Sequence, residues 1–203
     1  MASITNYGEL KEEVANELNR SNRTDEIPGW IQRVEGFVNR KFRLPSMEAI
    51  DTGSLSTSTL ALPTRYLETI TLLVNDGSNY QELARNPLAI VRYKQGDAGE
   101  VPKYWVERDE EIIVAPGPDS TYTYEHHFYQ GFASFSDDTD TNWVLTNAPD
   151  LYLAGALFHA NNFIKDTEEA AKWGGIFNSL VADLESYQDS RNYPGGSLQV
   201  ICR

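Results

Sequence analysis

The chain has 203 residues, a formal net charge of −13 and an isoelectric point of about 4.6. Hydrophobic residues at 40% and aromatics at 11% supply enough apolar surface to offset ordering entropy, which excludes general disorder. The shortage of Lys and Arg excludes tight, phosphate-driven nucleic-acid binding, and the single cysteine, Cys202, excludes an internal disulfide framework.

No run of about 18 apolar residues marks a membrane span. Met1-Ala2-Ser3-Ile4-Thr5 lacks the basic-then-apolar pattern of a signal peptide. Asn6 with Glu9 reads as a capping box ahead of Leu10, Val14 and Leu18, which predicts a helix over 7–20. After a polar break at 21–24, Ile27, Trp30, Ile31, Val34, Phe37 and Val38 predict a second helix over 27–42. Pro28 suits its first turn, and Arg33, Arg40, Lys41 and Arg43 form a basic polar face that ends with the favourable sign for a helix C-terminus.

Residues 46–135 change texture, with turn formers every few positions between short β-prone runs. A strand is expected over 69–74, a turn at Asn75-Asp76-Gly77 and a return strand over 80–83. A short helix follows Asn86-Pro87. Strands are then expected over 103–107, 111–115 and 121–129, the last with Tyr122, Tyr124, His126 and Phe128 on one face. Asn147 starts a third helix, with Leu151, Ala154, Leu157, Phe158 and Ile164 as its apolar side. The small residues Ala154, Gly155, Ala156 and Ala160 invite close approach of another backbone.

Asp166 with Glu169 caps a fourth helix, lined by Ala170, Trp173, Phe177, Leu180, Leu184 and Tyr187. The pair Gly174-Gly175 inside it reads as a close contact or a kink, each glycine costing about 1 kcal/mol relative to Ala. The implied fold class is α+β. A four-helix bundle body of two N-terminal and two C-terminal helices covers 1–45 and 136–190. An antiparallel β meander is inserted over 46–135, and an extended C-terminal tail covers 191–203.

Chemistry is thin. His126-His127 beside Glu125 suggests a metal site, but adjacent strand residues point to opposite faces. His159 stands alone on its helix. Asp137-Asp138-Thr139-Asp140 resembles a calcium loop, yet counting from Asp138 places Trp143 where Gly is needed and Pro149 where Glu is needed. No phosphate loop, nucleophile elbow or zinc-helix motif occurs. No catalytic residue, metal site or cofactor is therefore assigned, and the chain reads as a non-enzyme. The candidate functional residues are interface residues. Tyr193, Leu198, Val200 and Ile201 lie in a breaker-rich linker and β-prone tail with no partner in one copy. The basic face Arg33, Arg40, Lys41 and Arg43 is the second choice.

Several segments, in this order, resemble the adaptor (head-to-tail connector) proteins of tailed bacteriophages. They are Tyr7-Gly8-Glu9-Leu10 with Leu18-Asn19-Arg20, Asp25 to Ile31 with Val38-Asn39-Arg40, Leu60-Ala61-Leu62-Pro63, Pro102-Lys103-Tyr104-Trp105, and Ile112 to Pro118. The most specific is Asn142-Trp143-Val144-Leu145 with Ala148-Pro149-Asp150-Leu151-Tyr152-Leu153. The resemblance covers roughly 4–190.

It implies a virion structural protein of the neck, made in the host cytoplasm, forming a homo-oligomeric ring that is commonly a dodecamer. It implies the portal protein and a tail or nozzle protein as partners, with double-stranded DNA passing through the lumen without specific binding and no membrane involved. An acidic tube would let DNA slide without sticking. The alternative is a tail-associated carbohydrate-binding β module, suggested by Tyr104-Trp105 and the aromatics of 122–129. A small hydrolase using Glu125, His126 or His127 is a further rival; it requires those side chains to converge in a pocket.

Overall fold

The computed structural model describes residues 4–19, 23–97 and 99–192. The chain divides into two compact units, one from residues 1–46 and 132–203 and the other from 47–131. Among the described residues the first unit holds the helices α1 (Tyr7–Leu18), α2 (Ile27–Lys41), α4 (Trp143–Asn147), α5 (Pro149–Ile164) and α6 (Thr167–Asn192). Helix α3 (Leu88–Lys94) belongs to the second unit.

Helix α5 is the centre of the helical unit. Leu151 to Leu157 are buried without a break, so the helix is apolar on all sides and must be surrounded. It packs against α1, α2, α4 and α6. Gly155 sits where a Cβ would come within 2.7 Å of Val34 and 2.9 Å of Phe177. The expected close approach at the small residues is thus made by side chains from two helices, not by a second backbone. The other four helices are not enclosed in this way; α6 buries only Ala170, Val181 and Leu184 along its 26 residues. It runs unbroken through Gly174-Gly175, so the pair is no kink. A Cβ on Gly174 would meet the Phe158 ring at 3.1 Å, whereas Gly175 faces open space.

The third predicted helix forms as α5, but Asn147 is not its start: it ends a separate short helix, α4, that is not among the expected elements. Asn142 caps α4 by accepting from the Leu145 N–H at 2.9 Å. Ala148 leaves helical geometry (φ −144°, ψ 59°), and α5 restarts at Pro149. Proline supplies the reason: it lacks an N–H and pushes the preceding residue out of the α region.

The second unit corrects the expected meander. Among the described residues it holds the strands β1 (Glu48–Leu55), β2 (Thr59–Ala61), β3 (Tyr66–Asn75), β4 (Tyr80–Glu82), β5 (Ala84–Arg85), β6 (Tyr104–Arg108), β7 (Glu111–Ala115) and β8 (Tyr122–Gln130). They form two four-stranded sheets, ordered β1-β8-β3-β4 and β2-β7-β6-β5. In the first, β8 inserts between β1 and β3, so the last strand along the chain lies inside the sheet, while β3 and β4 still pair as neighbours. In the second, β5 pairs with β6 in parallel. The fold remains α+β, but a bundle body with a small antiparallel meander is not what forms. One helix is enclosed by the others, and the insertion is a two-sheet body with its own core.

That core explains the sheet pairing. Leu55, Leu72, Val74 and Tyr124 of the first sheet meet Trp105, Ile112 and Val114 of the second, with Leu83 beside them. Val91 of α3 packs with Ile113 and Ala115 on the other face of β7. Strand β7 is buried on both faces, which is why its sequence Ile112-Ile113-Val114-Ala115 is continuously apolar instead of alternating. The turn at Asn75-Asp76-Gly77 forms as expected, with Gly77 at φ 97° and the Asp76 carboxylate accepting from the N–H of Ser78 and of Asn79.

Candidate interaction surfaces

The expected capping box at the start of α1 forms halfway. Asn6 accepts from the Glu9 N–H at 2.9 Å, but the Glu9 carboxylate reaches past the cap to the Thr5 N–H at 2.6 Å and the Thr5 hydroxyl at 2.7 Å. The next free donors of the helix are satisfied from far along the chain. The N–H groups of Tyr7 and Gly8 donate to the carbonyls of Asp140 and Asp138 at 2.9 and 2.8 Å. Gly8 permits this approach, since a Cβ there would stand 3.1 Å from Asp138 Cβ. The acidic loop is therefore a helix clamp. Its Asp140 carboxylate accepts from the Ser136 and Asp137 N–H groups, which hold its pKa below the ordinary value, and Asp138 pairs with Lys11.

Two polar side chains on the inner face of α2 fasten the returning chain, and neither is among the candidate residues taken from the sequence. Glu35 is buried and accepts from the Phe135 N–H at 2.8 Å. Burial pushes its carboxyl up, and that one bond only partly offsets it. Asn39, one turn on, exchanges two bonds with the backbone of Phe132, at 2.9 and 3.1 Å. The signal was there: polar residues at i and i+4 among Ile31, Val34 and Val38.

His126 and His127 point to opposite faces, as strand geometry requires. His127 lies outward, its Nε2 3.5 Å from the Glu125 carboxylate. His126 is fully enclosed and stacks on Phe128. Its hydrogen bonds fix its tautomer. The Tyr66 hydroxyl donates to Glu107 at 2.8 Å, so it must accept from Thr69 at 2.9 Å, and Thr69 must accept from His126 Nε2–H at 2.9 Å. Nδ1 is left as a buried lone pair without a partner. Burial pushes the imidazole down to about 4, against a smaller opposing pull from Asp51. The convergence of Glu125, His126 and His127 that a hydrolase needs does not occur. His159 is half-buried on α5, its pKa lowered by burial and then by Arg33.

Of the aromatics that suggested a carbohydrate groove, Trp105, Tyr124 and Phe128 are core residues, and Tyr104, Tyr122 and Tyr129 are half-buried. Trp105 is buried and donates its indole N–H to the Leu83 carbonyl at 3.1 Å. Tyr124 is buried and donates to Asp51 at 2.8 Å, crossing Gly53, where a Cβ would meet its ring at 3.0 Å. Among the described residues no group of three or more His, Cys, Asp or Glu is placed to hold a metal ion, and no helix is long and apolar enough to cross a membrane.

The basic face of α2 separates into two pairs. Lys41 meets Glu185 at 2.6 Å, and Arg43 donates to the carbonyls of Asn39 and Phe42 while its N–H bonds Gln188. Arg33 and Arg40 are exposed two turns apart on one stripe, and among the described residues neither has an ion-pair partner. The tail candidates Tyr193, Leu198, Val200 and Ile201 lie outside the described residues. A groove lined by Trp143, Asp150, Leu180, Asp183, Leu184 and Tyr187 runs between the start of α5 and α6, with Trp143 stacked on Tyr187.

No curated protein matches the chain. A family model described as SU10 adaptor protein matches residues 5–199, a span that takes in the helix clamp, the central helix and the two-sheet insertion. The chain therefore belongs to the SU10 adaptor protein family, a phage head-tail adaptor family.

Proposed function

We propose that copies of this chain assemble into a ring, a dodecamer as the family resemblance implies, seated in the virion neck between the portal and a tail or nozzle protein, with DNA passing through the lumen. The observation that carries this reading is the family match over residues 5–199. The physical chemistry supports it. A chain of net charge −13 repeated around a channel presents DNA with a repelling wall. Helix α6 leaves Trp173, Phe177, Leu180 and Tyr187 only half-buried and Ile176 exposed, which is apolar surface that a neighbour would cover.

The contacts we assign are the tail over 193–203, with Tyr193, Leu198, Val200 and Ile201, for the portal or an adjacent subunit, and the basic face of α2 for an acidic neighbour. Lys41 and Arg43 are already engaged within the chain, so Arg33 and Arg40 are the residues that face a partner. The test is the mass of the full chain alone and mixed with purified portal, by light scattering. A discrete multimer that joins the portal is expected, and its attachment is lost when residues 193–203 are deleted. A chain that stays monomeric and never joins portal would sink the reading.

A further inference from the structure

Sheet edges expose unpaired N–H and C=O groups, and proteins blunt them by keeping edge strands short or covered. Three of the four edges here follow that rule. Strands β2, β4 and β5 are two or three residues long. The fourth does not. Strand β1 has eight residues, all paired on one side with β8 from Glu48↔Tyr129 to Leu55↔Tyr122. On its other side no described residue makes a backbone hydrogen bond to it. It contains no Pro or Lys. Its outward side chains are Glu48, Ile50, Thr52 and Ser54, all exposed, with Ile50 at 61%. A half-paired strand with an apolar side chain at its middle is a template for one more strand.

We propose that this edge of β1 receives residues 198–203 of a second copy as an added strand. The inference rests on the ring reading, and it names the subunit contact of that ring. Three observations favour this occupant. Residues 193–203 follow directly on α6, outside the described range, and open with Tyr193-Pro194-Gly195-Gly196-Ser197 before Leu198-Gln199-Val200-Ile201. Six residues span about 20 Å as a strand, against about 26 Å for β1, so the segment fits within the edge. In a chain of net charge −13 this segment has no Asp or Glu and carries Arg203, so it can lie beside Glu48 and Asp51 without repulsion. Leu198 and Val200 fall on one face of such a strand, where Ile50 offers a cross-strand partner. The contact is head-to-tail, the type that closes into a ring when the rotation permits.

Cys202, the chain's single cysteine, provides the test. Single cysteines are introduced in the full chain at Glu48, Ile50, Thr52 and Ser54 in turn, all exposed, so the fold is spared. Each variant is mildly oxidised, run on non-reducing gels, and weighed by light scattering in the same buffer. At one or two adjacent outward positions we expect a covalent ladder extending beyond dimer, abolished by adding Cys202→Ser. Wild type can reach only a Cys202–Cys202 dimer. A cross-link within one chain, read as a shifted monomer, overturns the second-copy assignment. A multimeric mass with no cross-link at any of the four positions overturns the β1 contact and leaves the ring standing. A monomeric mass with no cross-link overturns both.

Discussion

Burial, only partly opposed by Asp51, sets the behaviour of His126. Its folded pKa of about 4 lies below the ordinary value of 6.5. Between those values the unfolded chain takes up a proton that the folded chain refuses, so stability is full above pH 6.5 and falls as the pH drops. From pH 6.5 to 5, before most carboxylates titrate, the loss should be about 1.5 kcal/mol. Urea melts followed by tryptophan fluorescence measure it. His126→Phe keeps the stacking on Phe128 and orphans no donor, because Thr69 gives its hydrogen to Tyr66, so it should flatten the slope. An unchanged slope would mean that the imidazole is not the group responsible. Glu35 works in the opposite sense. Its raised pKa favours the fold at low pH and loses that benefit as the pH rises through the folded value, so the variant, and not the bare pH curve, isolates His126.

Helix α5 and helix α6 set two glycines in contrasting roles. A Cβ at position 155 would overlap Val34 and Phe177 at distances no real contact adopts, so Gly155→Ala should destabilise by about 1–3 kcal/mol. A Cβ at 175 meets nothing, so Gly175→Ala should gain up to about 1 kcal/mol of helix propensity. Thermal melts of the two variants should therefore move in opposite directions; movement the same way would show that the helices are packed otherwise. Helices were legible in sequence because their signals are local: Asn6, Pro28, Pro149 and Asp166 all act within one turn, whereas the short helix capped by Asn142 was hidden behind the apparent start at Asn147. The order of the sheets was not, since the placement of β8 beside β1 joins residues such as Glu48 and Tyr129 across the whole unit. Nor could alternation reveal that Ile112 to Ala115 is covered on both sides.

The whole molecule is strongly acidic, so copies repel one another unless a local contact opposes the net charge. Arg33 and Arg40 are the exposed basic pair proposed to do so. Reversing both to Glu should slow assembly several-fold and steepen its dependence on salt, because rim charges act mainly on encounter rates. Stopped-flow light scattering at two ionic strengths measures this, and an unchanged rate would remove α2 from the interface. Of the candidate surface, the basic residues were readable from type and spacing alone. Which of them are engaged at home was not, because Glu185 and Gln188 reach them from a helix more than a hundred positions away.

Pairing β1 with β8 has one more consequence. Because Glu48 stands opposite Tyr129, the chain enters and leaves the sheet body one strand spacing apart, about 5 Å. To the rest of the chain the insertion is a loop with clamped ends, whatever its length. Strands can be added to or lost from its far side without shifting residue 46 or residue 132. Ends held this close are the arrangement in which an inserted domain is tolerated, because the host chain need not rearrange to carry it.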